Sequence, residues 1–382
     1  MLAIRHAILI TPDTTLEDGT VLIDQGRIRA IGGPDMPLPR GVDAQDAAGL
    51  LLAPGFLDLQ VNGGFGFDFT ANPATIWEVA AGLPRFGVTG FLPTIITSPP
   101  ATVAQAQAVL ESGPPPGWVG ARPLGLHLEG PFLSSAKKGA HNPAYLRQPS
   151  AAAIAGWSPE SSIRLVTLAP ELPGALETID RLVRRNVIVS AGHSMASFDE
   201  AAAGIDAGIR YATHLFNAMP ALHHREPGLV AAALADSRVT VGLIPDGLHV
   251  HPTLVDVVWR LLGRDRVNLV TDAMAAMGMA PGEYLLGDYR VRVDETSARL
   301  PDGTLAGCIL SLDAILRAFR AFTGASWPDT VSTVTSTPAR VLGLANQLGH
   351  LKPGAPADLV LMTPEGEIVE TIVAGESLYQ RL

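Results

Sequence analysis

The sequence predicts an α/β protein: a (β/α)8 TIM-like barrel joined to a small β-sandwich domain that the N- and C-terminal segments form together. Eight apolar runs of strand length recur through the middle of the chain every roughly 20 to 40 residues, near the ~30-residue period of a βα unit. Segments with helical spacing of apolar residues lie between several of these runs. Both ends of the chain read as strand, turn, strand, and neither end could bury a core by itself, so the two are expected to pair.

In chain order, residues 1–53 hold strand signals at Ala7 to Ile10, Gly19 to Ile23 and Arg27 to Ile31, broken at Pro12-Asp13, Asp18-Gly19 and Gly32-Gly33-Pro34. Residues 54–345 hold the barrel. Its strands are expected at Phe56 to Val61, Val88 to Leu92, Leu124 to Leu128, Arg164 to Leu168, Val187 to Ser190, Tyr211 to Thr213, Val239 to Ile244 and Val267 to Thr271. Helices are expected at Leu176 to Arg185, Ser197 to Ala207 and Leu254 to Leu262, and Gly113 to Gly117 is a proline-rich loop. Tyr284 to Leu305 reads as a β excursion, followed by closing helices at Ile309 to Phe322 and Pro328 to Leu342. Residues 346–382 return to β texture, with Gly354 to Met362 and Glu367 to Val373 completing the terminal domain.

Composition narrows the class of partner. With 47% hydrophobic and 17% charged residues the chain is a compact globule and not a disordered one. A net charge of −10 repels nucleic acid and anionic membrane as principal partners, while leaving room for a small anionic substrate met by local cations. Cys308 is the only cysteine, which rules out an intrachain disulfide and any cysteine-based zinc site. Met1 to Ile10 is too short and too interrupted for a secretory signal, and the most apolar window, Gly228 to Ala235, is far too short to span a bilayer. A cytoplasmic protein is expected.

A barrel keeps its chemistry just past the carboxyl ends of its strands. There the sequence places Gln60 and Asn62 after the first strand, Glu129 after the third, His193 after the fifth and His214 after the sixth. Asp246 and His249 follow the seventh strand and Asp272 the eighth. Any one of these has an ordinary explanation as a cap or a hydrogen-bonded core histidine, but a shared register on one rim does not. One carboxylate and two imidazoles, Glu129, His193 and His214, make an open coordination shell for a divalent cation, with room left for water and substrate. Asp272 is then placed to move a proton. Lys137, Lys138 and Lys352 are the only lysines, so the fourth strand offers none to bridge two metals, and Gln60-Val61-Asn62 stands where a histidine pair could have bound a second ion. One tightly held metal is expected.

Eight motifs follow one another along the chain: Pro54-Gly55-Phe56-Leu57-Asp58, His127-Leu128-Glu129-Gly130-Pro131-Phe132, Lys138-Gly139-Ala140-His141-Asn142-Pro143, Ala191-Gly192-His193-Ser194, Thr213 to Met219, Arg225-Glu226-Pro227-Gly228, Asp246-Gly247-Leu248-His249 and Thr271-Asp272-Ala273. This ordered set resembles the N-acetylglucosamine-6-phosphate deacetylases of the amidohydrolase superfamily. The resemblance implies Glu129, His193 and His214 as ligands of one divalent metal per subunit, with Zn2+ expected and Fe2+, Co2+ or Mn2+ as other occupants. It implies Asp272 as acid/base, and His141 as the group that helps to polarise the acetyl carbonyl. Asn217, the Ala218 backbone and His249 are implied as contacts to a phosphorylated amino sugar, and Arg225 as an arginine that reaches the neighbouring active site of a homodimer. The implied reaction is release of acetate from N-acetylglucosamine 6-phosphate. A related N-acyl amino sugar or N-acyl amino acid is the alternative substrate, and a catalytically silent scaffold would be expected to lack these ligands. Cys308 replaces a serine of the family pattern. His223 and His224 lie outside the pattern and read as a solvated loop, and His251 as a helix cap.

Overall fold

The computed structural model describes residues 1–11 and 15–381; the turn expected at Pro12-Asp13 lies outside the described residues. Eight parallel strands form the barrel in chain order. They are β1 (Phe56–Val61), β2 (Val88–Ile96), β3 (Leu126–Glu129), β4 (Ile163–Leu168), β5 (Ile188–Ala191), β6 (Tyr211–Ala212), β7 (Thr240–Leu243) and β8 (Val267–Leu269). Each pairs with its sequence neighbour, as right-handed βα crossovers require. The ring closes at the rim, where Val61 bridges Ala273 and the amide of Asp272 donates to the Gln60 carbonyl at 2.9 Å.

Helices pack outside. They are α1 (Ile76–Gly82), α2 (Pro100–Glu111), α3 (Ala175–Arg184), α4 (Phe198–Ala207), α5 (Gly228–Ala235), α6 (Pro252–Arg266) and α7 (Leu312–Thr323). α3 buries Ala175, Thr178, Ile179 and Leu182 on one face and pairs Glu177 with Arg181 and Asp180 with Arg184 on the other. α4 starts at a capping box in which Ser197 and Glu200 satisfy each other's backbone amides. The segment expected as one helix from Pro328 to Leu342 is two, α8 (Trp327–Ser332) and α9 (Ser336–Val341). The carbonyls of Thr333 and Val334 are turned away to accept from Leu269 and Leu57 at the foot of the barrel, which breaks the helix between them.

The terminal strands share one eight-stranded sheet, in which Leu359–Met362 lies beside Leu51–Pro54 and that beside Leu2–Ile10. This sheet has its own apolar core around Ile4, Leu9, Ile23, Leu52, Leu359 and Ile372. After β8 the chain makes a hairpin, Gly282–Leu286 with Tyr289–Val293, that packs over the rim through Leu286, Val291, Met274 and Ile96. No helix among the described residues is long and apolar enough to cross a membrane.

Candidate active site

β1, β3, β5, β6 and β8 each end at a polar residue aimed into one cavity of about 310 Å³, lined among others by Asn62, Glu129, His141, His193, His214 and Asp272. Three of the rim residues, His193, His214 and Asp272, have φ of 50°, 32° and 50°, and Ala218 has 52°. Side chains disfavour this left-handed region by about 1 kcal/mol or more each. Backbone hydrogen bonds hold them there: Ser134 donates to the His193 carbonyl at 2.9 Å and Asn217 to the His214 carbonyl at 2.9 Å.

At the centre, Glu129 Oε1 lies 3.1 Å from His193 Nε2 and 2.8 Å from His214 Nε2, and the two nitrogens are 3.1 Å apart. These three atoms, all from buried residues, form the donor set that a divalent cation takes: one carboxylate oxygen and two imidazole nitrogens. The tautomer of His193 suits this role. Its Nδ1 is 2.8 Å from the Lys137 carbonyl, which can only accept, so Nδ1 carries the proton and Nε2 keeps its lone pair. Burial works to raise the Glu129 pKa, but the influence of the His193 and His214 imidazoles beside it outweighs burial and holds the carboxyl well below its ordinary value. Burial opposes the charged form of His214 in turn, and Glu129 outweighs that, so its pKa is raised. The residues fit a metal.

Asp272 stands beside this set. Its Oδ1 accepts from Gln60 Nε2 at 3.0 Å and Asn62 Nδ2 at 2.7 Å, and Gln60 Nε2 also reaches Glu129 Oε1 at 3.1 Å. One amide therefore fixes the spacing of the two carboxylates. Burial, and then the charge of Glu129, push Asp272 up to about 6, a value suited to proton transfer near neutrality. His141 is buried in the same wall, its Nε2 3.6 Å from Glu129 Oε2; burial and then His193 push it down to about 3, so it is a neutral ring.

Asn217, Ala218 and His249 line the cavity on its far side. Asp246 accepts from the backbone amides of Leu248 and His249 and from His249 Nδ1 at 2.6 Å, which locks the imidazole in place. Arg225 does not line the cavity; it sits on an exposed loop with His223 and His224, whose ring centroids lie 4.4 Å apart with the planes tilted by 48°. His251 caps α6, accepting from the Thr253 amide. Cys308 is buried and accepts from the Leu310 amide at 3.2 Å.

Sequence reasoning did not single out Thr97, the Lys137 carbonyl or the bridging amide of Gln60. Thr97 was within reach: β2 runs on to Ile96 rather than ending at Leu92, and following the apolar run to its end would have put Thr97 on the rim with the others.

The Amidohydrolase family matches residues 51–378. The chain is 39% identical over 354 residues to the N-acetylglucosamine-6-phosphate deacetylase of Homo sapiens, covering 88% of this chain and 86% of that one. It is 36% identical over 376 residues to an N-acetylgalactosamine-6-phosphate deacetylase of Escherichia coli O157:H7, covering 98% of each. Among solved structures, a mutant N-acetyl-D-glucosamine-6-phosphate deacetylase from Mycobacterium smegmatis in complex with N-acetyl-D-glucosamine-6-phosphate superposes with a TM-score of 0.91 at 33% identity, over 99% of both chains.

Proposed function

The chain belongs to the amidohydrolase family, and within it to the N-acetylglucosamine-6-phosphate deacetylases, and from that membership we infer its reaction. It hydrolyses the acetamide of N-acetylglucosamine 6-phosphate to glucosamine 6-phosphate and acetate. The strongest support is the meeting of Glu129, His193, His214 and Asp272 at one cavity, in a chain alike to these deacetylases almost end to end.

We read Glu129, His193 and His214 as the ligands of one divalent cation, zinc by preference, although iron, cobalt and manganese suit the same donors. When bound, the cation supplies Lewis acidity to the acetyl carbonyl and acidifies the attacking water. Asp272 takes the proton of that water and returns it to the departing amine, with Gln60 and Asn62 holding the carboxylate still. His141 donates a hydrogen bond to the carbonyl oxygen as it gains charge. Asn217, the Ala218 backbone and His249 contact the sugar and its phosphate.

Arg225, exposed and outside its own cavity, extends to the phosphate in the site of a second subunit, where a guanidinium can donate two parallel hydrogen bonds. The exposed Leu222 and Leu248, with Leu254, Val257 and Leu261 of α6, are apolar surface that a homodimer would cover. We divide the chain into a barrel, 54–345, and one β domain, 1–53 with 346–382. A sugar phosphate does not cross membranes unaided, so we place the enzyme in the cytoplasm.

Acetate release from N-acetylglucosamine 6-phosphate, its galacto epimer and unphosphorylated N-acetylglucosamine tests the reaction. We expect the first to have the highest kcat/KM and the unphosphorylated sugar to fall by about 100-fold, the worth of one or two charge-assisted hydrogen bonds. Equal rates with and without phosphate contradict the phosphate contacts. The similarity to a galactosamine-type deacetylase favours the epimer as a second substrate, and the same assay ranks it.

A further inference from the structure

The ring of His141 is held by a group that can only donate. The backbone N–H of Thr97, the residue just past β2, points at His141 Nδ1 from 3.2 Å. A backbone N–H never accepts, so Nδ1 must present its lone pair and the single ring proton must sit on Nε2. The Thr97 hydroxyl is 3.0 Å from the same nitrogen and 3.1 Å from the Glu129 carbonyl oxygen. Donating to the Glu129 carbonyl leaves the hydroxyl able to accept from Nδ1, so the hydroxyl is compatible with either tautomer and the backbone N–H, which can only donate, decides between them. Across the ring, Nε2 faces Glu129 Oε2 at 3.6 Å, an acceptor that suits a proton there. The neighbouring ring of His193, with its centroid 4.5 Å away, is fixed the opposite way by the Lys137 carbonyl. Two adjacent imidazoles therefore carry opposite tautomers, each dictated by a main-chain group.

We propose that Thr97 is a positioning residue whose backbone N–H locks His141 in the Nε2–H tautomer. This keeps His141 out of the metal's coordination shell and leaves it a neutral hydrogen-bond donor facing the cavity. The proposal rests on the reading of His141 as the donor to the carbonyl oxygen. It divides the labour of the two rings by backbone alone: His193 offers a lone pair and cannot donate from Nε2, while His141 donates from Nε2 and cannot ligate.

The test is 15N NMR of the zinc-loaded protein with labelled histidine, His141 being assigned by the signal lost in His141→Gln. We expect a protonated-type nitrogen at Nε2 and an unprotonated one at Nδ1. Thr97→Val keeps the main-chain N–H and the side-chain shape but drops the hydroxyl, and we expect the same pattern in it. A proton on Nδ1, a metal-shifted Nε2, or a change of tautomer in Thr97→Val overturns the proposal. Kinetics read the consequence. Gln places an amide N–H near the position of Nε2 and Asn near that of Nδ1, so His141→Gln should retain more kcat than His141→Asn or His141→Ala. The last two should lose about 100- to 1000-fold, the cost of a missing oxyanion donor, with metal content and KM little changed. Equal losses in all three overturn the assignment of the donor to Nε2. An unchanged kcat in all three instead overturns the role of His141 on which the proposal rests, whatever tautomer the spectrum shows.

Discussion

Asp272 sits between opposing influences: burial and Glu129 resist its charge, while Gln60 and Asn62 donate to it. In its proposed role as base it works only when ionised, so kcat/KM should fall as the pH drops through its pKa, near 6 or lower once a cation offsets Glu129. Asp272→Asn should lose about 10²- to 10⁴-fold in kcat while still binding metal, checked by acetate release and elemental analysis. Asp58, wholly buried in β1, is pushed up to about 7 by burial, although Thr271 donates to its Oδ2 at 2.6 Å. The fold therefore keeps a proton that the unfolded chain releases above about pH 4. The contribution of Asp58 is fully present below that pH and is lost as pH rises through 7. Asp58→Asn should leave the difference in Tm from wild type increasingly in the variant's favour between pH 4 and 7, measured by thermal unfolding. At this scale the sequence showed titratable groups well, because Glu129, His193, His214 and Asp272 announce themselves by residue type at strand ends. It could not show what orients them, because a backbone N–H at Thr97 or a carbonyl at Lys137 exists at every position and acts only through three-dimensional placement.

The loop of residues 130–162 takes the place of an α-helix after β3 and carries two of these parts, His141 and the carbonyl that fixes His193. Its partner is the hairpin over the rim. Asn142, next to His141, donates to Asp288 Oδ2 at 2.9 Å at the hairpin tip, and Gly287 beside it donates to the buried Asp68 at 3.1 Å. The hairpin is thus tied to β1's loop and to the loop that carries His141 at once. Asp288→Ala cuts the second tie only. We expect kcat to fall between about 10- and 100-fold through misplacement of His141, with Tm nearly unchanged; an unchanged kcat would show that the loop holds its shape without the hairpin. Apolar periodicity made the barrel strands readable to within a few residues, since each is buried on both faces and bounded by turn residues. The break between α8 and α9 was not readable, because it serves carbonyls that cap strands more than sixty residues away.

For the whole molecule, the proposed sharing of a site between subunits has a consequence that no single subunit can mimic. Arg225→Ala and Asp272→Asn should each be nearly inactive alone, and mixed under exchange of subunits they should regain activity. In the hybrid, one site has an intact Asp272 and receives the other chain's Arg225. Failure to regain activity, with hybrids shown to form, would place Arg225 in its own subunit's site or in none. The overall architecture was legible because eight strand-length runs and two matching β ends leave few other arrangements, whereas the proposed dimer depends on a surface whose partner the sequence does not contain. The expectations about activity turn on one cation held by Glu129, His193 and His214. The direct measurement is acetate release from N-acetylglucosamine 6-phosphate as chelator-stripped protein is titrated with zinc. The activity should return in proportion to added metal and saturate at one equivalent per chain; full activity without metal, or saturation only at two equivalents, would contradict the single-metal site.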